Sequence, residues 1–344
     1  MTTTFNAPAS PSPVTPARPS ISTRLRRNTT LINIVGLLAA IILLFAYLAF
    51  NATGFLSTAN QLGLLRDAAL IGIAATGMTL VIIAGEIDVS VGPAVALSSV
   101  IAASAITLWG LPTIVAILIA LALGALWGGA AGLLRARFLV PSFIATLGLW
   151  SVLRGYAQFS TNALPVSLPV DDPIMSVLSG SVLGLPTPAW VMIIAFALFA
   201  FIAKKTAYGR SVFAIGGNAG AARLAGIKVT RVRIILFATM GVLSAISGVL
   251  LAARLGSGNA GAANGLEFDV IAAVVIGGTA MSGGRGSLLG TFLGVIFITL
   301  IGNGLVLLGV NSFLQDVVRG AIIVAAVLLN VTLSRRRGAN QEES

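Results

Sequence analysis

Two carboxylates, Glu86 and Asp88, stand in the segment Gly85-Glu-Ile-Asp-Val-Ser-Val-Gly92 and interrupt a long apolar stretch. No basic residue in the segment offsets them. A carboxylate at membrane depth is costly, and where one persists it commonly serves gating or passage of a solute. A solvated turn would use the same residues, with Ser90 as a helix N-cap, Gly92 supplying flexibility and Pro93 near the first helical position. Arg154 is a second isolated charge, inside an apolar run with no acidic neighbour, and is expected to face a bundle interior or an aqueous path. The chain has no His and no Cys, so thiolate and imidazole metal ligands, disulfides and the usual proton relay are missing. No nucleophile–base pair is visible either. We expect no catalytic residue, no metal and no cofactor bound by this chain.

Two further segments have a chemical character of their own. In the basic run from Lys204 to Arg233, which includes Gly209 and Arg210, Gly216 and Gly217 precede Asn218. Asn218 can cap a short helix over Ala219 to Ala225, carrying Ala222 and Arg223, and Gly226 can end it in the left-handed conformation before Ile227. Its small side chains would allow close docking into a partner's groove; a basic loop that fixes topology and touches anionic lipid fits the composition equally. The other segment, Val275 to Gly290, is dense in glycine and includes Gly277, Gly278, Thr279, Gly283 and Gly284. A tight turn with close helix packing accounts for it. It is not a phosphate cradle of the Walker A type, because G-x-x-x-x-G-K-[ST] occurs nowhere, so any ATP must be hydrolysed by another subunit.

The elements that must position these residues are membrane helices. Hydrophobic residues make up 57% of the chain and charged residues 9%, against about 25% charged in a soluble domain. Apolar runs at about 31–50, 63–84, 93–108, 112–134, 141–160, 188–203, 234–255, 267–281, 287–308 and 314–333 predict ten spans. We therefore expect one membrane domain over 31–333, a disordered tail over 1–30 and a second tail over 334–344. An even number of spans puts both termini on one side. If that side is the cytoplasm, all of the 21 Lys and Arg except Arg66, Arg154, Arg254 and Arg319 fall on it. The net charge of +11 is then positive-inside bias, and no nucleic-acid partner is needed. The loop 204–233 becomes the one long inner loop, and 161–187, with its prolines and Asp171 and Asp172, an irregular outer cap. Near the outer face, charges form local sets: Arg66 beside Asp67, Glu267 near Asp269, and Asp316 three residues before Arg319.

Three separated motifs in order carry a resemblance: Ile87-Asp-Val-Ser-Val-Gly92; Ala214-Ile-Gly-Gly-Asn218 followed by Ala222-Arg-Leu-Ala-Gly-Ile227; and Ala272-Ala-Val-Val-Ile-Gly-Gly-Thr279 with Gly283-Gly-Arg-Gly286. From about Gly63 to Leu333 the chain resembles permease subunits of bacterial ribose-type ABC importers, which serve monosaccharides and related polyols. The resemblance implies an all-α integral membrane protein with a type II importer-like fold in the bacterial inner membrane. It further implies a second permease copy or paralogue, a cytoplasmic ATPase dimer contacted by the 204–233 loop, and an extracytoplasmic sugar-binding protein. The family usually has Gly where Glu86 stands. An ion-coupled secondary transporter is the alternative from another class, and it would place a coupling carboxylate near mid-membrane, whereas the acidic residues here gather at helix ends and in loops.

Overall fold

The computed structural model describes residues 21–325 and Leu328, so the expected tail over 334–344 and most of that over 1–30 lie outside the described residues. Thirteen helices occur among the described residues: α1 (Ile21–Asn51), α2 (Thr58–Ile83), α3 (Val91–Thr107), α4 (Thr113–Arg137), α5 (Ser142–Thr161), α6 (Pro173–Ser179), α7 (Thr187–Lys205), α8 (Ala207–Gly217), α9 (Ala219–Leu224), α10 (Val229–Leu255), α11 (Leu266–Ile276), α12 (Leu288–Leu307) and α13 (312–325). Six carry segments long and apolar enough to cross a membrane: α1 from Asn33 onward, α2, α4, α7, α10 and α12. Four short strands also occur among the described residues, β1 (Val166–Ser167), β2 (Ser181–Val182), β3 (Leu185–Pro186) and β4 (Ser257–Gly258). β1 pairs antiparallel with β4, and β2 with β3 in a hairpin.

Some boundaries differ from the hydropathy reading. Helix α1 begins at Ile21 rather than Leu31. Helix α10 begins at Val229, because a basic turn lowers hydropathy without breaking a helix. Helix α11 stops at Ile276, since Gly278 at φ +88° turns the chain out of the helix while its apolar composition continues. The 161–187 segment is more ordered than an irregular cap: Asp172 Oδ1 accepts from the N–H groups of Ile174 and Met175 to start α6, and Thr113 Oγ1 donates to its other oxygen.

Helices α2 and α3 are apolar all round and buried on almost every side, forming the centre of the bundle. Helix α1 lies at the periphery, where Leu48 packs with Leu300 of α12. The closest helix pair is α4 with α10. Gly124, Gly128 and Gly132 recur every fourth residue on α4, and a Cβ at Gly128 would lie 2.2 Å from the Phe237 carbonyl oxygen. Backbones meet here with no side chain between them, the packing that small-residue stripes permit.

Cross-links gather at two ends of the bundle. One, the α9 end, holds α8, α9 and the turns 84–90 and 277–287. The other, the hairpin end, holds α6, the β2–β3 hairpin and the β1–β4 pair. From the hairpin end, residues 259–265 run as irregular chain beside α3, where Asn259 N–H donates to Ser99 Oγ. Irregular backbone inside a bundle must have its polar groups satisfied. Arg154 supplies this: its Nη1 donates to the carbonyls of Ala260 (2.5 Å) and Ala262 (2.9 Å).

Candidate functional site

At the α9 end the second and third sequence motifs meet the end of α2 and Gly85, just before the first motif, in one junction. The N–H of Gly284 donates to the carbonyl of Ile83, the last residue of α2, at 2.8 Å. Gly216 of α8 sits against that same carbonyl, so closely that a Cβ there would lie 1.7 Å from it. A Cβ at Gly283 would meet the Gly216 carbonyl at 2.8 Å and Gly85 at 3.1 Å, and one at Gly284 would meet Gly217 at 3.1 Å. Gly283 and Gly284 both hold positive φ, 82° and 72°, which glycine adopts without strain. Three chain segments therefore touch through backbone. At the far side of the turn, Gly277 is pressed onto Gly290 of α12, and Thr279 is buried, with its methyl group and the Ile83 side chain both against Gly286.

The α8–α9 pair rests on this junction. Thr206 Oγ1 accepts from the N–H of Gly209 to start α8, and Gly209 passes within backbone contact of Ile202 and Ala203. Asn218 Oδ1 accepts from the N–H of Ala221, and Gly226, at φ +83°, ends the turn that follows α9. Ala222 is turned inward, buried with Ile215 and Val229 and flanked by Ile227. Its small size therefore serves contact within the chain, not approach by a partner. The outward side carries Arg223 and Leu224, the latter 91% exposed, with Arg210 exposed on α8.

Glu86 is buried, and two guanidinium groups from other helices neutralise it. Arg135 at the end of α4 donates from Nε to both carboxylate oxygens, at 2.8 and 2.7 Å, and Arg233 of α10 stands with Nε 2.8 Å from Oε1. The absence of a basic residue in its own segment is thus made good from two distant ones. This cluster ties the 84–90 turn to the two helices that pack most closely.

Asp88, Ser90 and Gly92 lead away from the junction into the bundle. Ser90 does not cap α3 with its side chain; its hydroxyl and N–H both bond Asp88 Oδ1, at 2.6 and 2.8 Å. Burial pushes the Asp88 carboxyl above its usual range, against the pull of these two bonds. Thr146 Oγ1 of α5 accepts from the Val89 N–H. Gly92 lies against Glu267, whose Oε1 accepts from Trp150 Nε1 at 2.9 Å, so that the start of α3 and the start of α11 meet beside Arg154. Arg154 is remote from the junction and holds the irregular segment.

The family described as "Branched-chain amino acid transport system / permease component" matches residues 60–327, a range that contains the whole junction. The chain belongs to this permease family. Similar proteins include the probable ABC transporter permease protein YphD of Escherichia coli K12, 63% identical over 306 residues, covering 89% of this chain and 91% of that one. The ribose import permease protein RbsC of Bacillus subtilis is 43% identical over 277 residues, covering 80% and 86%. The L-arabinose ABC transporter permease protein AraH of Azospirillum brasilense is 36% identical over 313 residues, covering 90% and 91%.

Several polar partners in the permease escaped the reading of its sequence. Asp67 pairs with Arg254 of α10, Nη1 to Oδ1 at 2.5 Å, and not with the adjacent Arg66, because neighbouring residues on a helix point about 100° apart. Asp316 does meet Arg319 three residues on, at 3.0 Å, and Arg319 also reaches Asp269 of α11 at 2.7 Å. Asn60 and Asn303 join α2 to α12 by reciprocal amide bonds of 3.1 and 2.8 Å. Asn303, an amide inside the apolar run 287–308, is the available signal for this last pair, since it needs a partner when buried.

Proposed function

We propose that this permease is the membrane subunit of an ATP-driven importer that carries a monosaccharide into the bacterial cytoplasm. It works beside a second copy or a paralogue, with a separate ATPase dimer at the α9 end and an extracytoplasmic sugar-binding protein at the hairpin end. The sugar reading is supported by the ribose and arabinose named for similar proteins at 36–43% identity. The observation that carries the coupling reading is the junction. A capped helix presenting Leu224 and Arg223 outward is seated, through Gly216 and Gly217, on the end of α2 and the 277–287 turn. A displacement of α9 would be passed by backbone contact to the central helix and, through Glu86, to α4 and α10. ATPase closure would then shift the balance between inward- and outward-open states by its unequal contacts with each.

Ten spans with both termini in the cytoplasm accord with the segregation of cross-links. Helix-end partners such as Asn60 with Asn303 and Arg254 with Asp67 gather at one end, and Glu86 with Arg135 and Arg233 at the other. The basic residues then lie chiefly at the α9 end, as positive-inside bias requires.

The test substitutes the outward face of α9. In the complete transporter, Leu224→Asp should leave membrane abundance unchanged, since the side chain is exposed, while ATPase co-purification falls. ATP-dependent uptake of D-ribose, D-xylose or L-arabinose should drop at least about tenfold, the equivalent of losing 1.4 kcal/mol at the contact. Undiminished uptake and ATPase binding would return this segment to a topological anchor. Uptake of L-valine in place of all three sugars would move the substrate to the class in the family's own description, and uptake without the ATPase would favour a secondary transporter.

A further inference from the structure

At the hairpin end a cavity of about 380 Å³ opens between α2, α11, α12 and α13. It lies apart from the junction. Its size falls in the range of small-molecule sites, which combine apolar walls with a few convergent polar groups. Ile71 and Ile298 supply apolar wall, while Asp269, Arg319, Asn303 and Gln315 present polar groups from three helices.

The polar groups retain hydrogen-bonding capacity. Arg319 engages Asp269 Oδ1 through Nε and Asp316 through Nη1, two of the groups in a guanidinium that carries five N–H donors. Asn303 uses one donor and one acceptor of its amide on Asn60, whose own second N–H goes to the Phe55 carbonyl, and the Asn303 amide has a second N–H. The carboxylate of Asp269 is matched by a guanidinium, and so is that of Asp67, which also lines the cavity. A charged ligand would have to compete with one of these pairs. A hydroxyl donates to a carboxylate oxygen and accepts from a guanidinium N–H at once, so a polyol can join them without separating the charges.

Helix α11 connects this cavity to the bundle interior. Asp269 and Glu267 are two residues apart, hence about 200° around the helix. One faces the cavity and Arg319, the other Gly92 and Trp150.

We propose that this cavity is a low-affinity transit site for a neutral, polyhydroxylated ring of pentose size, with Asp269, Arg319 and Asn303 as its recognition groups. The proposal rests on the sugar-importer reading and adds to it a place where the permease itself holds the sugar.

The chain has no cysteine, so a single introduced thiol reports on the cavity directly. Gly302 lines it, and a Cβ there meets nothing within 4 Å. In the complete transporter in membrane vesicles, Gly302→Cys should react with a water-soluble maleimide. D-ribose, D-xylose or L-arabinose should slow that reaction about threefold at a concentration of twice the dissociation constant, following 1 + [L]/Kd. L-valine should not slow it. Adding Asp269→Asn should keep the labelling and abolish the protection. Should Gly302→Cys fail to insert, Gln315→Cys reports from the facing helix. No labelling of either thiol overturns the proposal, as does protection by L-valine alone, or no protection by any of the three sugars far above the millimolar range. These results count against the transit site when the parent transporter takes up one of these sugars with ATP. A parent that takes up none of them places the failure in the functional reading instead.

Discussion

At the α9 end, Gly85, Gly216, Gly283 and Gly284 bring three backbones into contact at the end of α2, next in the chain to one buried, doubly paired carboxylate, Glu86. At the hairpin end, partly exposed ion pairs and reciprocal amides lie beside a cavity of about 380 Å³. Backbone contact tolerates almost no change of spacing, because any added atom collides with a carbonyl group. Side-chain pairs reach across a gap and can exchange a protein partner for water or a hydroxyl. Under the proposed function, the first end would transmit displacement and the second would admit a polar solute.

The most severe test of this contrast removes the charge that holds the junction. Glu86→Ala leaves Arg135 and Arg233 facing each other without their anion, and loss of one partner from a buried ion pair costs about 3–5 kcal/mol. A large fall in melting temperature of the detergent-purified permease should follow, with low abundance in membranes. A smaller loss is expected from Gly216→Ala, about 1–3 kcal/mol from forcing apart α8 and the end of α2, while Gly302→Ala, with open space around it, should change little in the same melting assay. The smallest belongs to the hairpin end. Arg254→Ala breaks a pair whose members are 30% and 49% exposed, and should cost no more than about 1 kcal/mol. If Arg254→Ala proves as damaging as Glu86→Ala, the two ends are held alike and the contrast fails.

Much of the helical architecture is written locally and could be read. The apolar runs mark the long helices, and Asn218 and Gly226 mark the start and finish of α9 because capping is decided within a few residues. What could not be read depends on residues far apart. Glu86 has no cation in its own segment, since Arg135 lies 49 positions away, and the nearest cation to Asp67 in sequence points in the wrong direction. The inward turn of Ala222 was equally hidden: a short helix of small residues has no apolar stripe to show which side is buried. The convergence of Gly216 with Gly283 and Gly284 follows from where α2 ends in space, and no spacing within either motif encodes it.

The α4–α10 contact has a consequence for biosynthesis. Its glycine stripe is completed by α10 residues such as Phe237 and Gly241, which emerge from the ribosome about 100 residues after α4 has ended. At about 5–20 residues per second, α4 waits on the order of ten seconds with that stripe against lipid or insertion machinery. During that interval Arg135 is already made but Arg233 is not, so Glu86 has one of its two cations. The bundle's tightest seam and its buried charge cluster are thus closed together, by the arrival of a single late helix.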